Sequence, residues 1–248
     1  MDEQRTAIVT GAGKRIGAEI ARALVGDGWS VVAHVHHGGD SVPEGTVKTV
    51  ADLADPVCAD RIFASAAGLP PVRLLVNNAA RFAFDGFGAL KAGEFDAHMA
   101  VNVRAPLLLT DAFAAAHALD QGGSADALVV NLLDAKLSAP NADFLSYTLS
   151  KQALAGLTEL SARALAPRGI RVNGVAPALM LRSAGQTEEN FAAMSQANPL
   201  SRAIEPGDVI AALRYLIASP AVTGEVLTID GGQRFWSPQR DVQFLERR

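Results

Sequence analysis

Cysteine is almost missing from this chain. Cys58 is the single thiol in 248 residues, which excludes an intrachain disulfide framework and a cysteine-rich metal site and leaves Cys58 as a small interior residue. Aromatic residues amount to only 6%, while Ala and Gly are plentiful, a balance that suits helices packed tightly on a sheet. Excess positive charge is also lacking. A formal net charge of −4 argues against a nucleic-acid binder that relies on a broad basic surface. No apolar run approaches the roughly 20 residues needed to span a bilayer. The segment Met1-Asp2-Glu3-Gln4-Arg5 runs straight into a strand without an apolar signal region. These absences predict a soluble cytoplasmic protein with neither membrane nor nucleic-acid partners.

What is present is apolar and regular. Hydrophobic residues make up 49% of the chain, enough for one large α/β core. No repeat or linker breaks it, so residues 1–233 read as one domain, followed by a polar tail, 234–248. That tail carries Phe235, Trp236, Phe244 and Leu245 and reads as a subunit-contact arm or a loosely ordered end.

Thr6-Ala7-Ile8-Val9-Thr10 is a short β-rich run suited to a strand buried on both faces. It breaks into Gly11-Ala12-Gly13-Lys14-Arg15-Ile16-Gly17, then into a helical pattern through Ile20, Leu24 and Val25. Strand, glycine turn and helix are the context that a diphosphate-cradling loop requires. Glycine admits close backbone approach, and the helix start supplies N–H donors and positive dipole.

The second strand, Ser30–Val35, ends at His36-His37-Gly38-Gly39, where the adenosine ribose would lie. No acid appears before Asp40, and the local groups are histidines with Lys14 and Arg15 nearby, which favours NADP(H) over NAD(H). A metal site on His34, His36 and His37 lacks a carboxylate or cysteine partner at convincing spacing. Residues 38–45 hold Gly38, Gly39, Pro43 and Gly45, so the crossover helix before the third strand, Thr46–Val50, should be absent or reduced to a turn. Asp52-Leu53 closes that strand, where Asp52 either meets the adenine edge or caps the next helix.

Val72–Val76 is the fourth strand, followed by Asn77-Asn78-Ala79-Ala80 and the aromatic, glycine-broken loop Arg81 to Gly88. Phe82 in that loop reads as a flat binding wall or as simple packing. Asn102 stands among apolar neighbours on a helix and needs partners. Asp134 stands just past the fifth strand, Leu128–Leu133. On the long helix that follows, Tyr147 and Lys151 are four apart and share a face. An ammonium beside a phenol favours the phenolate and draws its pKa toward the working range, making an acid/base unit. Further strands are expected at Ile170–Val175, closed by Ala176-Pro177, and at Val226–Ile229. A flap or short helix is expected over Ser183–Asn198, and a helix opening at Glu205.

Thr10 to Gly17, Asp52-Leu53, Asn77-Asn78-Ala79, Asn102, Tyr147 with Lys151, Arg171-Val172-Asn173 and Asp230-Gly231-Gly232 occur in an order that resembles the short-chain dehydrogenase/reductase family across almost the whole chain. The resemblance implies a single-domain, Rossmann-type, doubly wound seven-stranded parallel sheet with helices on both faces. It also implies a nicotinamide cofactor and a homotetramer or dimer. Two departures stand out: Arg15 replaces a glycine of the turn, and Asp134 replaces the usual serine, with Ser138 an unlikely substitute. With Asn77 to Phe82, they look like the pteridine reductase branch, including dihydromonapterin-reductase-like members.

That likeness implies Tyr147, Lys151, Asp134 and Asn102 as catalytic, with Phe82, Arg15 and Asp134 toward a pterin-like substrate. It implies Gly11, Gly13, Lys14, Arg15, Ile16, Gly17, His36, His37, Asp52, Leu53, Asn78, Ala79 and Pro177 toward the cofactor, and no metal. The implied reaction is hydride transfer from NADPH to a C=N or C=O carbon with Tyr147 as acid. Lys151 would lower the tyrosine pKa, Asn102 would support a relay water, and Asp134 would protonate a ring nitrogen or bind as a carboxylate. The alternatives are a general carbonyl or alcohol oxidoreductase of the same family, and a cofactor-sensing regulator without chemistry.

Overall fold

A computed structural model describes residues 4–117, 127–182, 186–236 and 240–245. Its centre is a parallel sheet of seven strands in the order β3-β2-β1-β4-β5-β6-β7. The strands are β1 (Thr6–Val9), β2 (Ser30–Val35), β3 (Thr46–Val50), β4 (Val72–Asn77), β5 (Ala127–Leu132), β6 (Ile170–Pro177) and β7 (Val226–Ile229). The expected positions hold to within a residue or two at most ends. The order reverses between β1 and β4, so their carboxyl ends diverge and leave a crevice, the usual ligand position in an open α/β sheet.

Alternation along each strand feeds two cores. Ala7 and Val9 of β1 face α1 (Arg15–Gly26) and α7 (Pro206–Ala218), in a cluster with Ile20, Leu24, Val209 and Leu213. Ile8 points the other way, into a cluster with Ile62 of α2 (Cys58–Ala64) and Leu109 and Phe113 of α4 (Ala105–His117). Cys58 and Leu53 belong to that second core. Both faces being covered, the central strands are almost continuously apolar. Residues 36–45 join β2 to β3 without a helix, as their glycines and proline predict.

Two helices carry the chemistry-bearing residues toward the crevice. The run from α3 (Ala92–Met99) into α4 passes through a π-helical turn, Ala100–Arg104. Pro106 has no N–H to return to the Asn102 carbonyl four residues earlier, and its ring crowds that carbonyl, so the helix widens there. The long α5 (Leu145–Leu165) starts from Phe144, which sits in the left-handed region at φ 56°. The polar segment near 190 contains α6 (Glu188–Ser195), with Thr187 accepting from Asn190 N–H as its cap. Ser183 and its two successors lie outside the described residues, as do Met1 to Glu3. Among the described residues no helix is long and apolar enough to cross a membrane.

Candidate active site

The glycine turn after β1 is built for backbone approach. Gly11 has φ +66°, and a Cβ on Gly17 would sit well inside contact distance of the Gly11 carbonyl and the Asn78 amide. Lys14 is the N-cap of α1 but makes no side-chain capping bond, and the first turn carries no acid. The leading N–H groups of α1 are therefore left for an incoming anion. Arg15 occupies φ 53°, a conformation that favours glycine and costs an L-residue roughly 1 kcal/mol. Its guanidinium reaches the carbonyls of Arg182 (3.1 Å) and Leu181 (3.4 Å) beyond β6.

Three side chains brace this turn. Thr10 Oγ1 accepts from the N–H groups of Asn78 (2.9 Å) and Ala79 (3.0 Å). Asn78 Nδ2 donates back to the carbonyls of Thr10 (2.7 Å) and Gly11 (3.3 Å). Buried His34 accepts from Gly11 N–H at Nδ1 (3.2 Å), so its Nε2–H donates to the Ala51 carbonyl (3.0 Å). That geometry fixes one neutral tautomer, and burial lowers the ring's pKa. His34 is thus a backbone staple between β1 and β3.

The other two histidines are elsewhere. His36 and His37 stack on each other at 4.1 Å on the exposed end of β2. Asp52 Oδ1 accepts from Ala54 N–H (2.8 Å) and lies 3.8 Å from His36 Nε2. Its side chain thereby organises the turn that leads toward α2. Leu53 is buried in the core, which leaves it no side chain to offer the crevice. Pro177 ends β6, facing Ile229 of β7, and Ile16 packs on the first core.

Across the crevice, Tyr147 donates to Asp134 Oδ2 at 2.8 Å. Asp134 also accepts from Lys136 N–H at Oδ1 (2.8 Å). Lys151 Nζ donates to the Leu132 carbonyl at 2.6 Å and lies 5.7 Å from the Tyr147 ring centre. Tyr147 and Lys151 are buried and Asp134 is half-buried beside them, and desolvation dominates the titration of all three. It raises Asp134, against the Lys136 N–H, the Tyr147 hydroxyl and the charges of Lys136 and Lys151. It lowers Lys151 to about 8, against the attraction of Asp134.

Burial pushes Tyr147 well above its ordinary value, and the Asp134 charge and hydrogen bond add to the rise, as does Asp241. The expected depression of the phenol by Lys151 is therefore reversed in this arrangement. The carboxylate holds the phenolic proton, while the ammonium is turned to a backbone carbonyl.

The Arg81–Gly88 loop is pinned at both ends. Asn102, in the π turn, accepts from Arg81 N–H (2.7 Å) and donates to the Arg81 carbonyl (3.0 Å) and Ser150 Oγ (2.8 Å). Its side chain is thus committed to bracing the loop against α5. Arg81 also forms a two-pronged ion pair with Glu94. At the other end, buried Asp85 accepts from both the N–H (2.9 Å) and the hydroxyl of Ser146. This carboxylate caps the start of the helix that carries Tyr147, a favourable place for negative charge. Between these anchors Phe82 is 44% exposed, meets Tyr147 edge-on at 4.7 Å, and stacks on Phe144 at 4.3 Å.

The sequence-derived set thus converges only in part. Tyr147, Lys151, Asp134 and Phe82 meet on one side, and Gly11, Gly17, Arg15 and Asn78 on the other. Thr10, Asp85, Lys136 and Phe144 were not expected in the site. Thr10 stood in the glycine-turn motif without a role of its own, and Asp85 is recognisable only by its long-range bonds to Ser146. Phe144 carries no cue for a left-handed backbone.

Similar proteins share this frame. A family model described as enoyl-(acyl carrier protein) reductase matches residues 11–234. L-xylulose reductase of Mesocricetus auratus is 33% identical over 92% of this chain and 96% of its own length. Pteridine reductase 1 of Leishmania tarentolae is 31% identical over 91% of this chain and 95% of its own. The structure of FolM alternative dihydrofolate reductase 1 from Brucella suis, in complex with NADP, has a TM-score of 0.84 at 34% identity, covering 95% of this chain and 97% of that one. The family match over most of the chain, with relatives above 30% identity along nearly its full length, places the chain in the short-chain dehydrogenase/reductase family of oxidoreductases.

Proposed function

We propose that the protein is an NADP(H)-dependent reductase of a pterin-like, flat heterocyclic substrate. The observation that carries this reading is the Tyr147–Asp134 bond with Phe82 set edge-on to the same phenol. A titrating carboxylate stands where a non-titrating serine is usual, beside an aromatic face. The cofactor would be held by the Gly11–Gly17 turn and the uncapped start of α1, with Arg15, Asn78 and Ala79 around it. The start of α1, with no side-chain cap and no acid in its first turn, fits the charge of a diphosphate, and the tight contact of Gly17 with Gly11 and Asn78 keeps the turn in shape. When bound, the nicotinamide supplies the hydride.

The chain's own groups manage the proton. Tyr147 keeps its proton at neutral pH and delivers it to the substrate atom that gains negative charge. Asp134, whose pKa burial raises, accepts from the phenol at 2.8 Å and, in its protonated form, donates to a ring nitrogen. Lys151 offsets the negative charge that develops on the Tyr147 oxygen. Phe82 orients the ring by stacking.

Preference for NADP(H) is supported by the NADP complexes of the FolM structures. It is supported too by the ribose end of β2, where Asp40 is occupied with the His37 N–H at 3.1 Å. Exposed Leu107, Leu149 and Leu160 on α4 and α5 support a homo-oligomer built on those helices. A second reading, reduction of simple carbonyls, is favoured by the equally similar L-xylulose reductases.

The test is loss of nicotinamide absorbance with NADPH or NADH against dihydrobiopterin and dihydrofolate. Pterin-dependent oxidation of NADPH is expected. Tyr147→Phe is expected to lower turnover by orders of magnitude with cofactor binding near normal. Retained turnover in that variant would overturn the tyrosine's role, and turnover of simple ketones with none of pterins would favour the second reading.

A further inference from the structure

The C-terminal segment Arg240–Leu245 folds back on its own chain beside the crevice. Arg240 Nε donates to Asp143 Oδ2 (2.7 Å), and Asp241 N–H donates to the same oxygen (2.8 Å). Lys136 pairs with Asp241 at 2.8 Å, with both side chains nearly buried. The same ammonium donates to Asn141 Oδ1 (3.1 Å) and the Asp143 carbonyl (2.9 Å). Two cations and two anions therefore close a balanced quartet.

The quartet joins the tail to two segments that matter for the site. Lys136 is the residue whose N–H holds Asp134, and Asp143 directly precedes Phe144 at the start of the Tyr147 helix. Phe244 adds a ring to the same pile. It lies 6.0 Å from Phe144 and nearly parallel, and meets Phe84 edge-on at 5.6 Å. Phe144 is itself stacked on Phe82. On its far side the tail accepts from Asn190 of α6, through the Leu245 carbonyl at 2.7 Å.

We propose that Arg240–Leu245 is a specificity element acting within its own chain: it walls the outer side of the Phe82–Tyr147 crevice and, through Lys136 and Phe144, sets how large a flat ring the site accepts. This rests on the reading that the Tyr147–Asp134 pair is the reacting site. Lys136 and Phe244 are positioning residues here, since their contacts run to Asp134, Asp143 and Phe144. Phe144 holds a left-handed backbone at φ 56°, and a side chain in that strained position needs outside support to keep one orientation. Electrostatics tie the segment down as well. Burial works against ionised Asp143, yet Arg240, the Asp241 N–H and Lys136 together hold its carboxyl below the ordinary value.

The experiment compares the full chain with Phe244→Ala, Lys136→Met and a chain lacking residues 240–248. NADPH binding is followed by fluorescence, kcat and KM are measured with dihydrobiopterin and with diacetyl, and amide hydrogen exchange is read without substrate. In all three variants NADPH affinity should stay within about twofold. KM for dihydrobiopterin should rise about tenfold, the scale of one lost aromatic contact, with a smaller change for diacetyl. Exchange over residues 82–87 and 141–146 should quicken. If the native chain turns over diacetyl but no pterin, the substrate reading fails, and the wall is still judged by exchange and by KM for ketones of increasing ring size. Unchanged exchange and unchanged KM in folded Phe244→Ala would overturn the proposal, as would an equal rise in KM for large and small substrates.

Discussion

Replacing Lys151 by methionine should make the protein more stable while removing its activity. The fall of this ammonium from its ordinary 10.5 to about 8 corresponds to about 3 kcal/mol, at roughly 1.4 kcal/mol per pH unit. That is the scale of the penalty for keeping the charged lysine buried at neutral pH. Methionine removes the penalty but leaves the Leu132 carbonyl without its 2.6 Å donor, a loss of about 1 to 2 kcal/mol. The net expectation at pH 7 is a gain of about 1 kcal/mol, or roughly 2–4 °C in Tm for a chain of this size.

The sign of the pH dependence is fixed by linkage. Between about 8 and 10.5 the unfolded chain holds the lysine proton and the native chain does not, so the native protein gains stability with rising pH across that window. The advantage of Lys151→Met should therefore shrink from pH 7 to pH 10. Urea unfolding followed by circular dichroism, at one protein concentration and at both pH values, measures it. A folded variant less stable than the parent at pH 7, or an advantage that does not narrow by pH 10, would refute the reasoning.

Two further substitutions probe the scaffold. Gly17→Ala places a methyl against the Gly11 carbonyl and the Asn78 amide, and overpacking against backbone should cost about 3 kcal/mol. Thermal unfolding and NADPH fluorescence should both report it, and normal NADPH affinity would contradict a role for this close contact in shaping the cofactor turn. Asp85→Asn turns an amide donor toward Ser146, whose N–H and hydroxyl both need an acceptor, at a cost of about 1 to 3 kcal/mol. Because the same carboxylate tethers the Phe82 loop to α5, KM should rise more than kcat falls; a pure stability loss with unchanged KM would count against the tether.

The strand positions and the cofactor turn were legible because each rests on local pattern, whereas the doubly wound sheet followed from the family resemblance. Thr6–Thr10 and Leu128–Leu133 are apolar in the manner of strands covered on both faces, and Gly38, Gly39, Pro43 and Gly45 forbid a helix where none is found. Tyr147 and Lys151 were legible as neighbours on one helix face. Their electrostatics were not, because the partner that governs the phenol, Asp134, arrives from another element at 2.8 Å. His34 illustrates the same limit. In sequence it groups with His36 and His37, but a strand alternates its side chains, and with the two exposed rings lying beyond the strand end the buried one is left bonded to Gly11 and Ala51. The π turn at Asn102 had a visible cause in Pro106, since a proline four residues on withdraws the N–H an α-helix would use. The tail's spaced aromatics pointed to a contact arm or a loose end, and nothing in the sequence said what it would contact. Only the fold sets Arg240 and Asp241 against Asp143 and Lys136 of the same chain.

Aspartate in the place of serine gives the site a titration that serine cannot have, and Asp134→Ser isolates it. Burial raises Asp134 above its ordinary 3.8, opposed by the Lys136 N–H, the Tyr147 hydroxyl and two lysine charges. An acid raised in the folded state binds its proton more tightly there than in the unfolded chain. Its contribution to stability is full below 3.8 and is lost as pH rises through the folded value. Serine has no such dependence, so the variant should lose less stability than the parent between pH 4 and pH 7 as the unfolding free energy is followed by urea titration. Its turnover should change in the same sense. If protonated Asp134 is the donor to a ring nitrogen, the parent's kcat with dihydrobiopterin falls as pH rises through that value, and the variant's does not. A parent whose kcat and stability are both flat across this range would show that the carboxylate stays ionised at 2.8 Å from the phenol, and that Asp134 serves only to hold the Tyr147 proton.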